Sequence, residues 1–445
     1  MAIQKRLSVV SLGACLALFC SSAHGSDENA GEQETFNLHF QFTTITQAHP
    51  SFSAMYSGLN SFDPKAETKT SVSSTLFLGS RLWKNVEVYC DPEMAGGGGF
   101  SNTTGIAAFP NGEVYRVSEP TPHVYVARLY VRQLFSLSET SHRVDGEANQ
   151  LAGMEPDSYI SLIAGKFSIM DFFGHSAYSH DPTTQFFNWA LMGYGAWDYP
   201  ANTRGYTFGI VSEFVRPSWA LRFGLVMVPI TPNGAIFDSR IAHSNSSTFE
   251  IEKKYRIGTQ RGTVSLLTYL TRADMGNYRD AINYGILHDT APQLEPTRML
   301  GRTKYGFGLS LEQSLSQDVG LFFRSSWNDG HNETWAFTEI DRCISVGLSV
   351  NGALWKRPDN LGIAFILSGL SKDHRDFLRA GGYGFIIGDG NLDYGGEFVT
   401  ELYYSLRLFV RWLWVTPDYQ SILHPAYNKD RGPVHAFGIR VHVEI

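Results

Sequence analysis

Cysteine is scarce in this chain, with four residues in 445, at positions 15, 20, 90 and 343. That is too few for a disulfide scaffold, and no close pair has metal-site spacing. Charge is scarce too: Asp, Glu, Lys and Arg make up 18%, where about a quarter is usual. The balance is acidic, 43 Asp plus Glu against 36 Lys plus Arg. This argues against a nucleic-acid partner, because phosphate recognition needs a basic face. Past Cys20 no run of 18 apolar residues occurs, and the mean hydropathy is −0.16, so a bundle of membrane-spanning helices is not expected.

Catalytic signatures are missing as well. There is no Gly-x-Ser-x-Gly elbow, no Walker loop and no His-Glu-x-x-His. The run Gly96 to Gly99 lacks the Lys-Ser/Thr of a phosphate cradle, and Gly381 to Gly390 lacks dinucleotide-loop spacing and a following helix. Both read as loop glycine. His175 and His180 near Asp171 and Asp181 read as ordinary hydrogen-bonding groups, not a metal site. Neither an enzyme nor a cofactor is expected.

Aromatics are abundant, at 13%, as is glycine, with 43 residues. The first 25 residues read as a secretory signal: Lys5 and Arg6, an apolar run from Leu7 to Cys20, and small residues at Ala23 and Gly25 before Ser26. A lipoprotein box at Leu12-Gly13-Ala14-Cys15 is the rival, though its apolar core would be very short. Cleavage after Gly25 would leave 34 basic against 43 acidic residues, and only Cys90 and Cys343, paired or free. The expected organisation is a signal peptide at 1–25, a short segment at 26–35, and one β-domain at 36–445. An exported chain without a helical anchor is either soluble or a β-barrel in an outer membrane.

Alternation with a period of two decides between them. Phe36, Leu38, Phe40 and Phe42 alternate with Asn37, His39, Gln41 and Thr43. Tyr125, Ala127, Leu129 and Val131 alternate with Val126, Arg128, Tyr130 and Arg132. The pattern recurs at 219–227, 305–312, 319–328, 401–408 and 437–445, with Arg, Glu, Gly and Ser on the polar side. A sandwich would bury its apolar faces against each other, whereas a membrane barrel turns them to lipid. Segments of about ten residues and recurrent charge on the polar face favour a transmembrane antiparallel barrel. Trp83, Tyr89, Trp327, Trp335, Trp412 and Trp414 fit aromatic girdles. The stretches 91–122, 168–205, 229–248, 272–303 and 371–397 read as long extracellular loops, with short periplasmic turns between strands. With roughly 420 mature residues and about 26 per strand and connection, an even count of about 16 strands is expected.

The segment 166–206 is dense in aromatic and amide groups, with Trp189, Trp197, Tyr199, Asn188 and Arg204. It reads equally as a loop folded into a lumen, where rings could meet sugar faces, or as a surface loop packed on its own aromatics. GKFSIMDFF, YSHDPTTQFFNWALM, AWDYPANTRGYTFG, PDYQSILHPAYNKDRGPVHAFGIRVH and QFTTITQAHPSFSAMYSGLNS together resemble the carbohydrate-selective porins of Gram-negative outer membranes, OprB type. The resemblance implies a 16-stranded porin for monosaccharides and small oligosaccharides, in outer-membrane lipid, with homo-oligomers open.

Under that reading Arg128, Arg132, Arg222, Arg324 and Arg407 would donate to sugar hydroxyls. Glu213, Glu312 and Glu401 would accept from them. Opposed charges suit neutral polyhydroxy solutes, whereas a ring of one sign selects ions. The alternatives are a general or anion-preferring porin, a barrel enzyme, and a soluble sugar-binding sandwich.

Overall fold

The computed structural model describes residues 33–445 apart from 116–118 and 409. The expected signal peptide, its cleavage point and most of the 26–35 segment lie outside the described residues. The strands are β1 (Phe36–His49), β2 (Glu67–Trp83), β3 (Val86–Gly97), β4 (Glu119–Ser136), β5 (Ser141–Val144) and β6 (Gly153–Pro156). They continue with β7 (Tyr159–Phe167), β8 (Thr207–Arg216), β9 (Trp219–Val226), β10 (Asn245–Ile257), β11 (Gln260–Met275) and β12 (Met299–Ser314). The last six are β13 (Val319–Asn328), β14 (Arg342–Asn351), β15 (Asn360–Gly369), β16 (Glu397–Arg407), β17 (Leu413–Leu423) and β18 (Val434–Glu444).

Sixteen of these form a closed antiparallel barrel, from which the small β5–β6 hairpin stands apart. β1 closes it by pairing with β18, from Gln41 opposite Glu444 to Ala48 opposite Phe437. Closure leaves no sheet edge, which is what a strand structure in lipid requires. No helix among the described residues is long and apolar enough to cross a membrane.

The period of two sets the two faces. Phe223, Leu225, Phe307, Phe365, Phe437 and Ile439 are exposed on the outside, while Arg324, Glu401 and Arg440 are buried inside. Strand β4 departs from the expected alternation. Asp91 pairs with Arg128 but Pro92 pairs with Val126, so Ala127 is an extra residue in the ladder. Pro92 has no N–H to donate, and such a residue is tolerated at a bulge. The bulge shifts the phase: Val126 faces outward with Leu129 and Val131, and Tyr125 turns inward, towards Glu93. The girdle also needs correction. Trp83 and Trp412 are exposed at strand ends, but Tyr89 is buried on an inward position and Trp335 is buried in a loop, donating Nε1 to the Pro229 carbonyl.

Long and short connections alternate around the ring. The long end carries 50–66, 98–118, 168–206, 227–244, 276–298, 329–341, 370–396 and 424–433. The strands therefore reach further than expected, since 91–97, 245–248 and 299–303 are ladder and not loop. Three short helices lie in these loops: α1 (Trp189–Met192), α2 (Tyr278–His288) and α3 (Lys372–Arg379). Cys90 and Cys343 are free thiols.

Candidate functional site

Loop 168–206 does not stand above the barrel; it crosses the interior. A loop inside a protein must find partners for its backbone, and here the inward wall residues supply them. Arg324, 2% exposed, donates to four loop carbonyls: Leu191 at 2.9 Å, Gly193 at 3.1 Å, Gly174 at 3.3 Å and Ser179 at 2.6 Å. Arg440 donates to the carbonyls of Pro182 and Gln185, both at 2.8 Å. Glu401 accepts the N–H groups of Phe187 and Asn188, Glu312 that of Ala177 at 3.2 Å, and Glu250 that of Gly174 at 2.9 Å. Phe186, Trp189, Leu191 and Ala196 then pack against inward apolar wall residues such as Phe322, Ala364, Val399 and Tyr403.

A second loop backs the first. Segment 98–115 turns inward through Gly105 (φ +80), whose missing Cβ would lie 1.9 Å from the Phe62 nitrogen, so only glycine fits. Glu397 takes the N–H groups of Ala107 at 3.1 Å and Ala108 at 2.7 Å. The Trp189 N–H donates to the Phe109 carbonyl at 2.9 Å. From the third side, Asp198 accepts the N–H groups of Trp335 and Ala336 at 2.7 Å each, drawing in loop 329–341.

What these loops leave open is a cavity of about 370 Å³ against the inward face of β1–β4. Its strand wall includes Gln41, Ser73, Thr75, Glu93 and Arg128, and its loop wall includes Glu113, Tyr115, Trp189, Arg204, Tyr206 and Phe337. Cross-strand register puts Thr75 and Tyr125 on either side of Glu93. The Glu93 carboxylate accepts from Thr75 at 3.0 Å, Tyr206 at 2.8 Å, Tyr115 at 3.3 Å, and Tyr125. Each of those hydroxyls keeps oxygen lone pairs for a solute donor. Arg128 is bidentate to Asp171, 2.7 Å on both arms, and also reaches Asp91 at 3.4 Å. Arg204 is different: its guanidinium lies 4.1 Å over the Tyr125 ring and makes no hydrogen bond or ion pair among the described residues. In the loop wall, burial pushes the Glu113 carboxyl up to about 7, opposed by its bond from Ser73. Burial also lowers the His180 pKa, aided by Arg324.

Of the residues nominated from sequence, Arg128 and Trp189 border this cavity. Trp189 is packed between Phe109 and Phe337, with ring centroids at 5.2 Å from each. Trp197 is 1% exposed, within an apolar cluster with Tyr194 and Tyr199, and does not border it. Arg324, Glu312 and Glu401 hold the loop, as above. Glu213 and Arg222 are brought together at 3.3 Å, and Arg222 also meets Glu250 at 3.0 Å and Glu252 at 2.9 Å. Arg132 reaches Glu155 at 2.9 Å. Arg407 sits at the short-turn end, 5.5 Å from the Trp414 ring and donating to the Arg411 carbonyl at 3.1 Å. Glu93, Tyr115, Tyr125 and Tyr206 were missed. His175 and His180 have ring centroids 5.2 Å apart, and the described residues hold no group of three or more metal-type ligands.

The sequence profile of the carbohydrate-selective porin, OprB family, matches residues 60–445. The fold resembles the high-pH structure of Pseudomonas putida OprB, at TM-score 0.69 and 15% identity, covering 92% of this chain and 94% of that one. It also resembles the outer-membrane channel DcaP of Acinetobacter baumannii, at TM-score 0.51 and 9% identity, covering 94% and 99% respectively. Among curated protein sequences no relative matches.

Proposed function

This chain belongs to the carbohydrate-selective porins of the OprB family, and on that footing we propose that sugars cross it along the β1–β4 wall, past Arg204 and the Glu93 tyrosine cluster. It is a sugar porin of the Gram-negative outer membrane, a channel in place of an enzyme. In this reading the outward apolar face lies in lipid, the long loops face the exterior, and the mature chain begins near Ser26. Passage is diffusion through a watery site without bond-making. Self-association of barrels is compatible with it.

The observation that carries the proposal is the contrast in how charges are spent. Arg222 is held by three carboxylates and Arg324 by four loop carbonyls, whereas Arg204 makes no such bond among the described residues and offers its donors to whatever occupies the cavity. A guanidinium above an aromatic ring, in one cavity with a carboxylate ringed by hydroxyls, offers donors and acceptors to a sugar. None of these groups is a trap, because each bond replaces one to water at a net gain of only about 1–3 kcal/mol. The anion-preferring alternative is disfavoured by the described lining residues, where Glu93, Glu113, Asp171 and Asp181 outnumber Arg128 and Arg204. Liposome swelling with arabinose, glucose and maltose tests the proposal. Wild-type rates should depart from a simple size series, and Arg204→Ala should return them to one. Rates that follow size alone in the wild type would refute it.

A further inference from the structure

The connection between β4 and β7 breaks the barrel's own rule. Three connections at the same end, 84–85, 217–218 and 258–259, are two-residue turns, whereas this one runs over 137–158 and carries the β5–β6 hairpin. It folds back into the barrel mouth. Asn37, inward on β1, donates Nδ2 to the Gln150 carbonyl at 2.7 Å, and the Ala152 N–H donates to Glu34 at 2.7 Å. Leu151 is 2% exposed and belongs to the interior cluster of Tyr89, Tyr130 and Ile163. Arg132, nominated from sequence for solute, pins the hairpin through Glu155 instead.

The tip of this connection meets the folded-in loop. Asn149 donates Nδ2 to Asp91 Oδ2 at 3.0 Å, the same oxygen that Arg128 approaches at 3.4 Å. Arg128 in turn holds Asp171 of loop 168–206. Two segments entering from opposite ends are thus joined across one guanidinium. Ala148 and Asn149 border the same cavity as Arg204 and Tyr206. Asn149 adopts φ +59, a conformation that asparagine and glycine tolerate best, and its Oδ1 is buried without a hydrogen-bond partner.

We propose that segment 145–151 is a second constriction, the exit-side wall of the sugar passage, and that Asn149 is a specificity-determining contact there. This rests on the sugar-channel reading and adds to it a gate at the short-turn end. Two variants test it in planar bilayers, with glucose and maltose as probes. Asn149→Gly keeps the backbone conformation and removes the carboxamide; single-channel conductance should rise, and half-blocking sugar concentrations should rise about fivefold, the loss of one hydrogen bond. Ala148→Trp should lower conductance and exclude maltose before glucose. Wild-type conductance and sugar block in both variants would overturn the second constriction while leaving the channel reading intact. A wild-type protein that passes no sugar would remove both.

Discussion

The two sides of the barrel interior carry similar residues and use them differently. On the β13, β16 and β18 wall three inward charges are consumed by loop backbone: Arg324 by four carbonyls, Arg440 by two, and Glu401 by two N–H groups. From β1 to β4 the inward Gln41, Ser73, Thr75, Glu93 and Arg128 border open space. The difference teaches that a charge on the polar face of a barrel strand is not by itself a solute contact. It satisfies whatever lies opposite, and a loop backbone has as many unmet groups as a sugar. Removing a bolt should therefore disturb architecture, and removing a cavity group should disturb selectivity alone.

The largest effect is expected from Arg324→Ala. Carbonyls left buried without a donor cost about 1–3 kcal/mol each, so the loop should detach. Single-channel conductance should rise, trypsin should cut within 168–206, and the thermal midpoint should fall. Unchanged conductance and protease resistance would erase the distinction between the two sides. Glu401→Ala orphans two N–H groups and should do the same to a lesser degree.

A smaller effect sharpens the cavity side. Glu113 is pushed up to about 7 by burial, so it is mainly a neutral acid at pH 5.5 and a carboxylate at pH 8.5. Raising the pH through that window adds one negative charge beside the cavity, and reversal potentials in a salt gradient should move toward cation preference. Glu113→Gln should abolish the movement. A shift of the opposite sign, or one that survives the substitution, would show that another group titrates there. The smallest effect is expected from Arg407→Ala, because that side chain lies on the short-turn rim with Trp414 and the Arg411 carbonyl. Its sugar block should match the wild type.

Much of this architecture was legible in the residues. The period of two at 219–227 and 437–445, the aromatic-rich stretch at 166–206 and the absence of long apolar runs lead to a sixteen-stranded barrel with an unusual loop. The course of that loop was not legible, because Arg324 and Glu401 occupy the same alternating positions whether they face water or backbone. The phase of β4 was hidden too, since the bulge at Ala127 depends on Pro92 in the neighbouring strand. Arg204 stood out within the 166–206 stretch, but its place in the cavity did not, because no periodicity in a loop marks which way a side chain points. The inserted turn at 137–158 escaped notice because it is a long connection at the end expected to carry short ones.

The most direct measurement is a titration of single-channel current with glucose in the wild type, Arg204→Ala and Arg222→Ala. Saturable block that weakens about tenfold in Arg204→Ala, the loss of a charged hydrogen bond, and survives in Arg222→Ala is the predicted result. Equal weakening in both, or block untouched by Arg204→Ala, would contradict a passage along the β1–β4 wall.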